Sequence, residues 1–411
     1  MNITYTTIPG GVCAAKGFKA YGVHAGFRKN SAKLDLALIL ADKVCNAAGV
    51  FTRNKVFAAP VGVTRAHLAD GGKAQVVICN SGNANACTPD GYDTANASCK
   101  AVAEMIGCRE SEVIVASTGV IGQTLPTEPL FSALPNLIKV VEATEVGADL
   151  AANAIMTTDS RKKEFAVSYE YAGKTIRMGG MCKGSGMIHP NMGTMLGFIT
   201  TDCAITTEML QKALSSAIDD TFNMVSVDGD TSTNDTVCVM ASGFAENEEI
   251  TGCGEAFDAF SGALHQLCVL MASAIAADGE GATKFLKCHV SGFRTVEEAR
   301  ILAKSVICSS LVKTAMFGAD ANWGRVICAL GYAGVEFDTT KVDISFTSPA
   351  GTIAVCKDGA QLEFDEDIAK KILLEKEIII ECAMNSGDCE ATALGCDLSY
   401  EYVHINGDYR S

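Results

Sequence analysis

The stretch Gly179 to Asp202, GGMCKGSGMIHPNMGTMLGFITTD, constrains this chain more than any other. It opens on small residues and Lys183, passes His189-Pro190, and changes character at Gly193-Thr194. From Thr194 the run TMLGFITTD is apolar and β-branched, the pattern of a strand buried in a sheet. A Gly-rich segment that feeds a strand beginning with Thr has two readings. It is a loop between strands, or it is a cleavage junction. If the bond before Thr194 were cut, the new α-amine would lie beside its own hydroxyl. With an unperturbed pKa of about 8, that amine can act as general base near neutral pH.

Such a junction needs a large core around it. The 411 residues are 48% hydrophobic and 20% charged, enough for two or three domains or one large layered one. A net charge of −15 argues against a nucleic-acid partner, because phosphate neutralisation needs a basic surface. The opening NITYTTIPGGVCAAKG lacks the charged and apolar regions of a secretory signal. The longest apolar stretch, Leu264 to Ala277, contains His265 and Gln266 and falls short of the roughly 20 residues of a membrane span. No membrane partner is expected. Eighteen cysteines are scattered without a CxxC pair, and Cys382, Cys389 and Cys396 fit no usual zinc spacing. With six dispersed histidines, no metal site is expected. Cysteines in runs such as VVIC and RVICAL behave as small buried hydrophobes, which suits a reducing cytoplasm.

In chain order, Leu34 to Ala41 reads as a strand, and so does Gln75 to Cys79 ahead of the polar loop NSGNANACTPDGYDTA. Helical spacing follows around Ala95 to Ile106. Glu112 to Ala116 is a strand feeding STGVIG. There Thr118 and Gly119 stand at a strand end, where a hydroxyl and a backbone N–H can converge as an oxyanion hole or simply form a turn. Helical signals recur at Leu134 to Val141 and before Thr157-Thr158-Asp159. Phe165 to Tyr171 and Lys174 to Met181 read as a hairpin around Ala172-Gly173, delivering Cys182 and Lys183 to the junction.

Beyond the junction, Thr206 to Phe222 has helical spacing, and Met224 to Val227 and Thr236 to Ala241 read as strands. Between these strands, DGDTSTND is hydroxyl-rich and acidic. It has Thr233 where an EF-hand needs glycine, so it reads as a structural turn. Phe257, Phe260, Leu264, Leu267, Met271 and Ala274 form the stripe of a core helix. Glu280 follows in DGEGATK, either facing a cavity or solvated in a loop. Thr295 with Glu298 makes a capping box for a helix to about Leu311, and RVICAL suits a helix or a strand. The last third reads as strands VDISF, GTIAVC, EIIIECA and LSYEYVHI around a helix at Asp367 to Lys376. Alternating helices and strands with hairpins predict mixed sheets covered by helices in layers.

Several site types are absent from the sequence. There is no GxxxxGK[ST], no GxSxG in a nucleophile-elbow context and no HExxH. Cys182 and His189 form a thiol dyad only if the intervening loop brings them together.

The run GGMCKGSGMIHPNMGTMLGFITTD resembles the self-cleaving region of the ornithine acetyltransferases, also called glutamate N-acetyltransferases, of the arginine pathway. NSGNANACT, STGVIG, AIMTTD, SVDGDTSTNDT, DGEGATK, DANWGR and YVHINGDYRS are similar to family segments in the same order, over essentially the whole chain. The resemblance implies an α-β-β-α layered α/β fold of the N-terminal-nucleophile kind. It also implies self-cleavage between Gly193 and Thr194 and an α2β2 heterotetramer of the two products, residues 1–193 and 194–411. By the same resemblance Thr194 is the nucleophile, and Thr118 with Gly119 the oxyanion hole. Thr157, Lys183, Thr194, Glu280, Asn406 and Ser411 would line the amino-acid site. Three positions depart from the family habit. Gly193 stands where Ala is usual before the cut, Ser411 where the chain commonly ends in Thr, and Gly407 where Ala is usual.

The implied reaction moves an acetyl group from N2-acetylornithine to glutamate by way of Thr194, without a cofactor. Some family members also take acetyl-CoA as donor. Lys183 is a candidate partner for the substrate α-carboxylate, and Glu280 for ornithine's charged amine or for proton transfer. Two other readings stay open at this level. One is an N-terminal-nucleophile hydrolase such as an aminopeptidase, with water as acceptor. The other is a non-catalytic amino-acid-binding protein that remains one uncut chain.

Overall fold

A computed structural model describes residues 3–189 and 195–407. These fall into two compact units that alternate along the chain. The first comprises Met1–Gly184, Pro190–Asn223 and Thr231–Met271, and the second Ser185–His189, Met224–Asp230 and Ala272–Ser411. The proposed division at Gly193-Thr194 is a matter of cleavage and does not coincide with these units.

The first unit holds β1 (Thr6–Ile8), β2 (Phe18–Val23), β3 (Leu36–Phe51), β4 (Lys73–Asn83), β5 (Val113–Val120), β6 (Lys163–Tyr171), β7 (Lys174–Lys183) and β8 (Leu196–Thr201). After β9 (Val225–Ser226), which joins the other sheet, β10 (Thr236–Ala241) returns to this one. The order is β1-β6-β7-β8-β10-β3-β4-β5, with β2 also on β3, nine strands among the described residues. Its helices are α1 (Ala59–Ala69), α2 (Gly91–Ile106), α3 (Glu128–Val140), α4 (Glu145–Ala154) and α5 (Thr207–Asp220), together with most of α6 (Glu255–Ala276).

The sixteen residues of β3 serve both wings of this sheet. Leu36 to Ala41 pair with β2, and Asn46 to Phe51 with β10. Between them Asp42, Lys43 and Val44 are exposed, which interrupts the apolar alternation. That interruption is why the sequence suggests a strand ending at Ala41.

Alternate residues of the strands face opposite layers, as the two-residue period of a strand requires. Ala37, Ile39, Val77, Cys79, Ile114 and Ala116 share a core with Met181, Leu196, Phe198, Cys238 and Met240 of the other wing. Leu36, Leu38, Val76, Ile78, Val113 and Val115 instead meet Cys99 and Val102 of α2 and Leu130, Leu134 and Leu137 of α3. On the far side, Met271 of α6 approaches Gly180. In this unit helices therefore cover one sheet whose two wings share a core, a mixed α/β arrangement that agrees with the layered expectation.

The second unit carries α7 (Val296–Cys308), α8 (Ser310–Phe317), α9 (Trp323–Gly331), β12 (Asp343–Ser348), β13 (Gly351–Lys357), β14 (Ala360–Gln361), α10 (Glu366–Leu373), β15 (Glu377–Ala383), β16 (Cys389–Cys396) and α11 (Tyr400–Gly407), all following β11 (Phe285–Phe293). Its sheet runs β14-β13-β12-β15-β11-β16-β9. The alternate residues Leu286, Cys288 and Val290 of β11 and Ile378, Ile380 and Cys382 of β15 are buried in one core with Leu302, Val306 and Ile307 of α7.

Four expectations change. LSYEYVHI, read as a strand for its aromatic and β-branched residues, is the helix α11. Tyr400 and Val403 stay exposed, so no sheet rewards their β propensity, and the Ser399 hydroxyl accepts the Glu401 N–H at the helix start. The last strand is Cys389–Cys396 instead. The helix expected to reach Leu311 stops at Cys308, because Ser309 caps a new helix by accepting the Val312 N–H. Met224 to Val227 contains only the two-residue strand β9. Finally, α6 is 22 residues long, apolar and long enough to cross a membrane, yet Phe260, Leu264, Leu267 and Met271 are fully buried in the protein.

Eleven of the eighteen cysteines are buried, and burial pushes thiols such as Cys45 and Cys79 up to about 12, which suits packing rather than reactivity.

Candidate active site

In the first unit the site begins where β4 and β5 run parallel, with Ser81 opposite Thr118 and Gly82 opposite Gly119. The register shifts at Gly82-Asn83, so the strand end bulges. Gly119 has φ +136°, and a Cβ there would sit 2.3 Å from the Gly82 carbonyl carbon. Only glycine permits this approach. Asparagines shape the loop beside it. Asn80 Oδ1 accepts from Ser117 Oγ at 2.6 Å, and Asn234 Nδ2 donates to the carbonyls of Ala84 (2.6 Å) and Ser117 (2.8 Å). In the DGDTSTND turn, Asn234 thus stitches two strand ends together.

Lys183, the last residue of β7, stands opposite Leu196 of β8 and points its Nζ to 3.5 Å from Thr118 Oγ1. Both side chains are buried. Behind them lies Asp159. One of its carboxylate oxygens accepts from Lys163 Nζ at 2.6 Å and Gly184 N at 2.8 Å, and the other accepts from Thr157 N at 2.9 Å. Burial raises this carboxyl, but Lys183 and then Lys163 outweigh it, and its pKa falls to about 2. Asp235 contrasts with it. Burial pushes its carboxyl well above the usual range, with the Ser232 hydroxyl and Lys183 pulling the other way. The first unit thus brings Thr118, Gly119, Lys183 and, through Asp159, the Thr157 backbone into one cluster. Sequence reasoning passed over Lys163 and Asp235, and the signal available was a charged residue inside each apolar strand boundary.

In the second unit Glu280 follows α6 and is 7% exposed. It is therefore not a solvated loop carboxylate. Its N–H donates to Ser185 O at 3.0 Å, and its carboxylate accepts from Asn406 Nδ2 at 2.7 Å. A Cβ on Gly186 would lie 2.3 Å from that carboxyl, so the Gly-rich run is a close approach to an acid and not just a flexible linker. Glu280 and Asn406, both expected, are together.

The Cys182–His189 dyad does not form. The Cys182 thiol donates to Met271 O, whereas His189 Nδ1 lies 3.1 Å from Ser226 Oγ and 3.5 Å from Cys308 Sγ. Burial, and Lys304 after it, lower the His189 pKa to about 4. Gly193, Thr194 and Ser411 lie outside the described residues.

A family model described as the ArgJ family matches residues 19–411. The "Arginine biosynthesis bifunctional protein ArgJ" of Caldanaerobacter subterraneus subsp. tengcongensis is 48% identical over 397 residues, covering 96% of this chain and 97% of that one. The protein of the same name from Symbiobacterium thermophilum is 47% identical over 406 residues, covering 98% and 99%. Among solved structures, ArgJ from Bacillus halodurans is 45% identical with a TM-score of 0.49, over 51% of this chain and 97% of that chain. With its motifs in order and relatives matched end to end, this chain belongs to the ArgJ family.

Proposed function

We propose that the chain transfers the acetyl group of N2-acetylornithine to glutamate through an acetyl ester on Thr194, after cutting itself between Gly193 and Thr194. The observation that carries this reading is the approach of Lys183 Nζ to the Thr118 hydroxyl, which sets a cation beside an oxyanion donor. Whole-length relatives named for arginine biosynthesis support the substrate class.

In the precursor, Thr194 Oγ attacks the Gly193 carbonyl, the acyl group shifts from N to O, and water hydrolyses the ester. The freed α-amine then takes the hydroxyl proton as Oγ attacks the acetyl carbonyl. Thr118 Oγ1–H and Gly119 N–H stabilise the oxyanion, each donor contributing about 3 kcal/mol in comparable sites. Ornithine leaves with that proton. The glutamate α-amine attacks the ester and returns Oγ–H to Thr194, which predicts ping-pong kinetics. Lys183 binds the α-carboxylate common to both substrates, and Glu280 with Asn406 binds ornithine's amine. Thr157 and Ser411 complete the substrate contacts.

The relatives' description as bifunctional supports acetyl-CoA as a second donor, with CoA leaving in place of ornithine. No cofactor takes part, the cut products assemble as α2β2, and the setting is cytoplasmic.

The test is intact mass and N-terminal sequencing, followed by incubation with N2-acetylornithine alone. Two chains, one beginning Thr-Met-Leu-Gly and gaining one acetyl group that glutamate discharges, is the expected result. Discharge by water at the same rate with or without glutamate would make the protein a hydrolase. A full-length chain stable on incubation would leave only amino-acid binding.

A further inference from the structure

Resting on the reading that Thr157 and Lys183 meet the amino-acid substrate, we infer that Asp159 is a positioning residue for the reaction. Its carboxylate holds the backbone beside both of them. Three stretches of the first unit converge on it. Asp159 Oδ2 accepts from Thr157 N at 2.9 Å, in the loop ahead of β6. Oδ1 accepts from Gly184 N at 2.8 Å, the residue directly after Lys183 at the end of β7. Oδ1 also accepts from Lys163 Nζ at 2.6 Å, at the start of β6. Lys163 stands opposite Cys182 across the β6–β7 ladder, so these bonds close one small frame.

The Asp159 side chain has 0% of its surface exposed, and that of Lys163 1%. A substrate beside Lys183 therefore does not touch this carboxylate, and its effect on binding passes through the groups it holds. A pair made for stability alone would need only Lys163. The two backbone bonds go instead to the two stretches that carry Thr157 and Lys183. Burial disfavours the charge on Asp159, and Lys183 is the first of the groups that restore it. That attraction is mutual. Lysine is a point charge on a flexible four-carbon stem, and a fixed anion behind it restricts where the ammonium can go. Ordering both contacts before substrate arrives removes a cost from binding, so the gain falls on affinity and not on the chemical step.

Asp159→Asn keeps the shape but carries one acceptor oxygen and one NH2 group. With the oxygen toward Gly184 and Lys163, the NH2 meets the Thr157 N–H; turned over, it meets the other two. One side of the frame is lost in either orientation. KM for N2-acetylornithine and for glutamate is expected to rise about tenfold, with kcat within about threefold of wild type. KM is the readout because it does not depend on how much of the preparation is active. The substitution also unbalances the buried charge of Lys163, which lowers stability by itself. Adding Lys163→Met removes that cation and is expected to recover most of the lost Tm, while KM stays raised.

The measurement is steady-state kinetics with both substrates, alongside thermal unfolding, on wild type, Asp159→Asn, the double variant and Lys183→Ala. A KM that stays raised while Tm recovers is the expected result. Unchanged KM values in Asp159→Asn, where Lys183→Ala raises them, overturn the proposal. So does a KM that returns to wild type together with Tm in the double variant, which makes Asp159 a stabilising residue only. Failure of both Asp159 variants to fold overturns it in the same way. Lys183→Ala with both KM values unchanged instead removes the reading on which the inference rests.

Discussion

Two clusters, one in each unit, bury charge in different ways. In the first, Lys163 and Lys183 gather about the single ionised carboxylate of Asp159, while burial disfavours ionisation of the nearby Asp235. In the second, Glu280 and Asp228 are carboxylates whose hydrogen bonds come from an amide side chain and backbone N–H groups, without a lysine or arginine among those donors. A buried ion is stable only where its charge is matched or its lone pairs are satisfied. The first arrangement is therefore suited to an incoming anion and the second to an incoming cation.

This contrast is broken most readily at Lys183. Lys183→Ala is expected to lower kcat/KM for N2-acetylornithine and for glutamate alike by about 100-fold, the loss of one charge-assisted bond to a carboxylate both substrates carry. Steady-state kinetics with KM and kcat unchanged for both would remove its role. Glu280→Gln sharpens the contrast with a smaller effect. KM for N2-acetylornithine should rise about tenfold while that for glutamate, which has no side-chain amine, moves far less. An equal fall in kcat for both would recast Glu280 as a proton carrier.

The smallest effect is the order of acid destabilisation. His189 in the second unit falls from 6.5 to about 4, so the unfolded chain binds its proton first and stability declines as pH drops from 6.5 toward 4. Asp159 in the first unit falls from 3.8 to about 2, so its contribution, complete above 3.8, is lost only as pH drops below that toward 2. Denaturation midpoints against pH should lose the upper stage in His189→Gln and the lower one in Asp159→Asn. A single slope common to all three proteins would contradict the assignment.

Much of the fold was legible because local signals agreed with the final layers. The Ala172-Gly173 turn has φ +48° and +74°, which a tight hairpin turn demands, and the strands around it lie within a few residues of their expected limits. Legibility failed where a residue's partner is remote in sequence. Nothing near Tyr400 says that its β-favouring neighbourhood will have no sheet to join. Nothing near Met187 says that a carboxylate 41 residues on will accept its backbone N–H. The site followed the same rule. Thr118-Gly119 was readable as a strand end, but the approach of Lys183 to Thr118, 65 residues away in sequence, exists only once β5 and β7 are folded together. Cys182 was paired with His189 only because it was near in sequence, and each found another partner.

The ladder between β7 and β8 has a consequence for assembly. It joins Met178 with Thr201 through Lys183 with Leu196, on either side of the proposed cut. While the chain is whole, the junction tethers these two strands and their pairing is a unimolecular event whose cost grows only slowly with loop length. Once the tether is severed, the same strands belong to different molecules. The folded state persists, but any molecule that opens must find its other half by diffusion, at a rate set by concentration. The cut protein should then be held by the slowness of its opening and recover poorly from complete unfolding, so that activation would also be a commitment to never refolding alone.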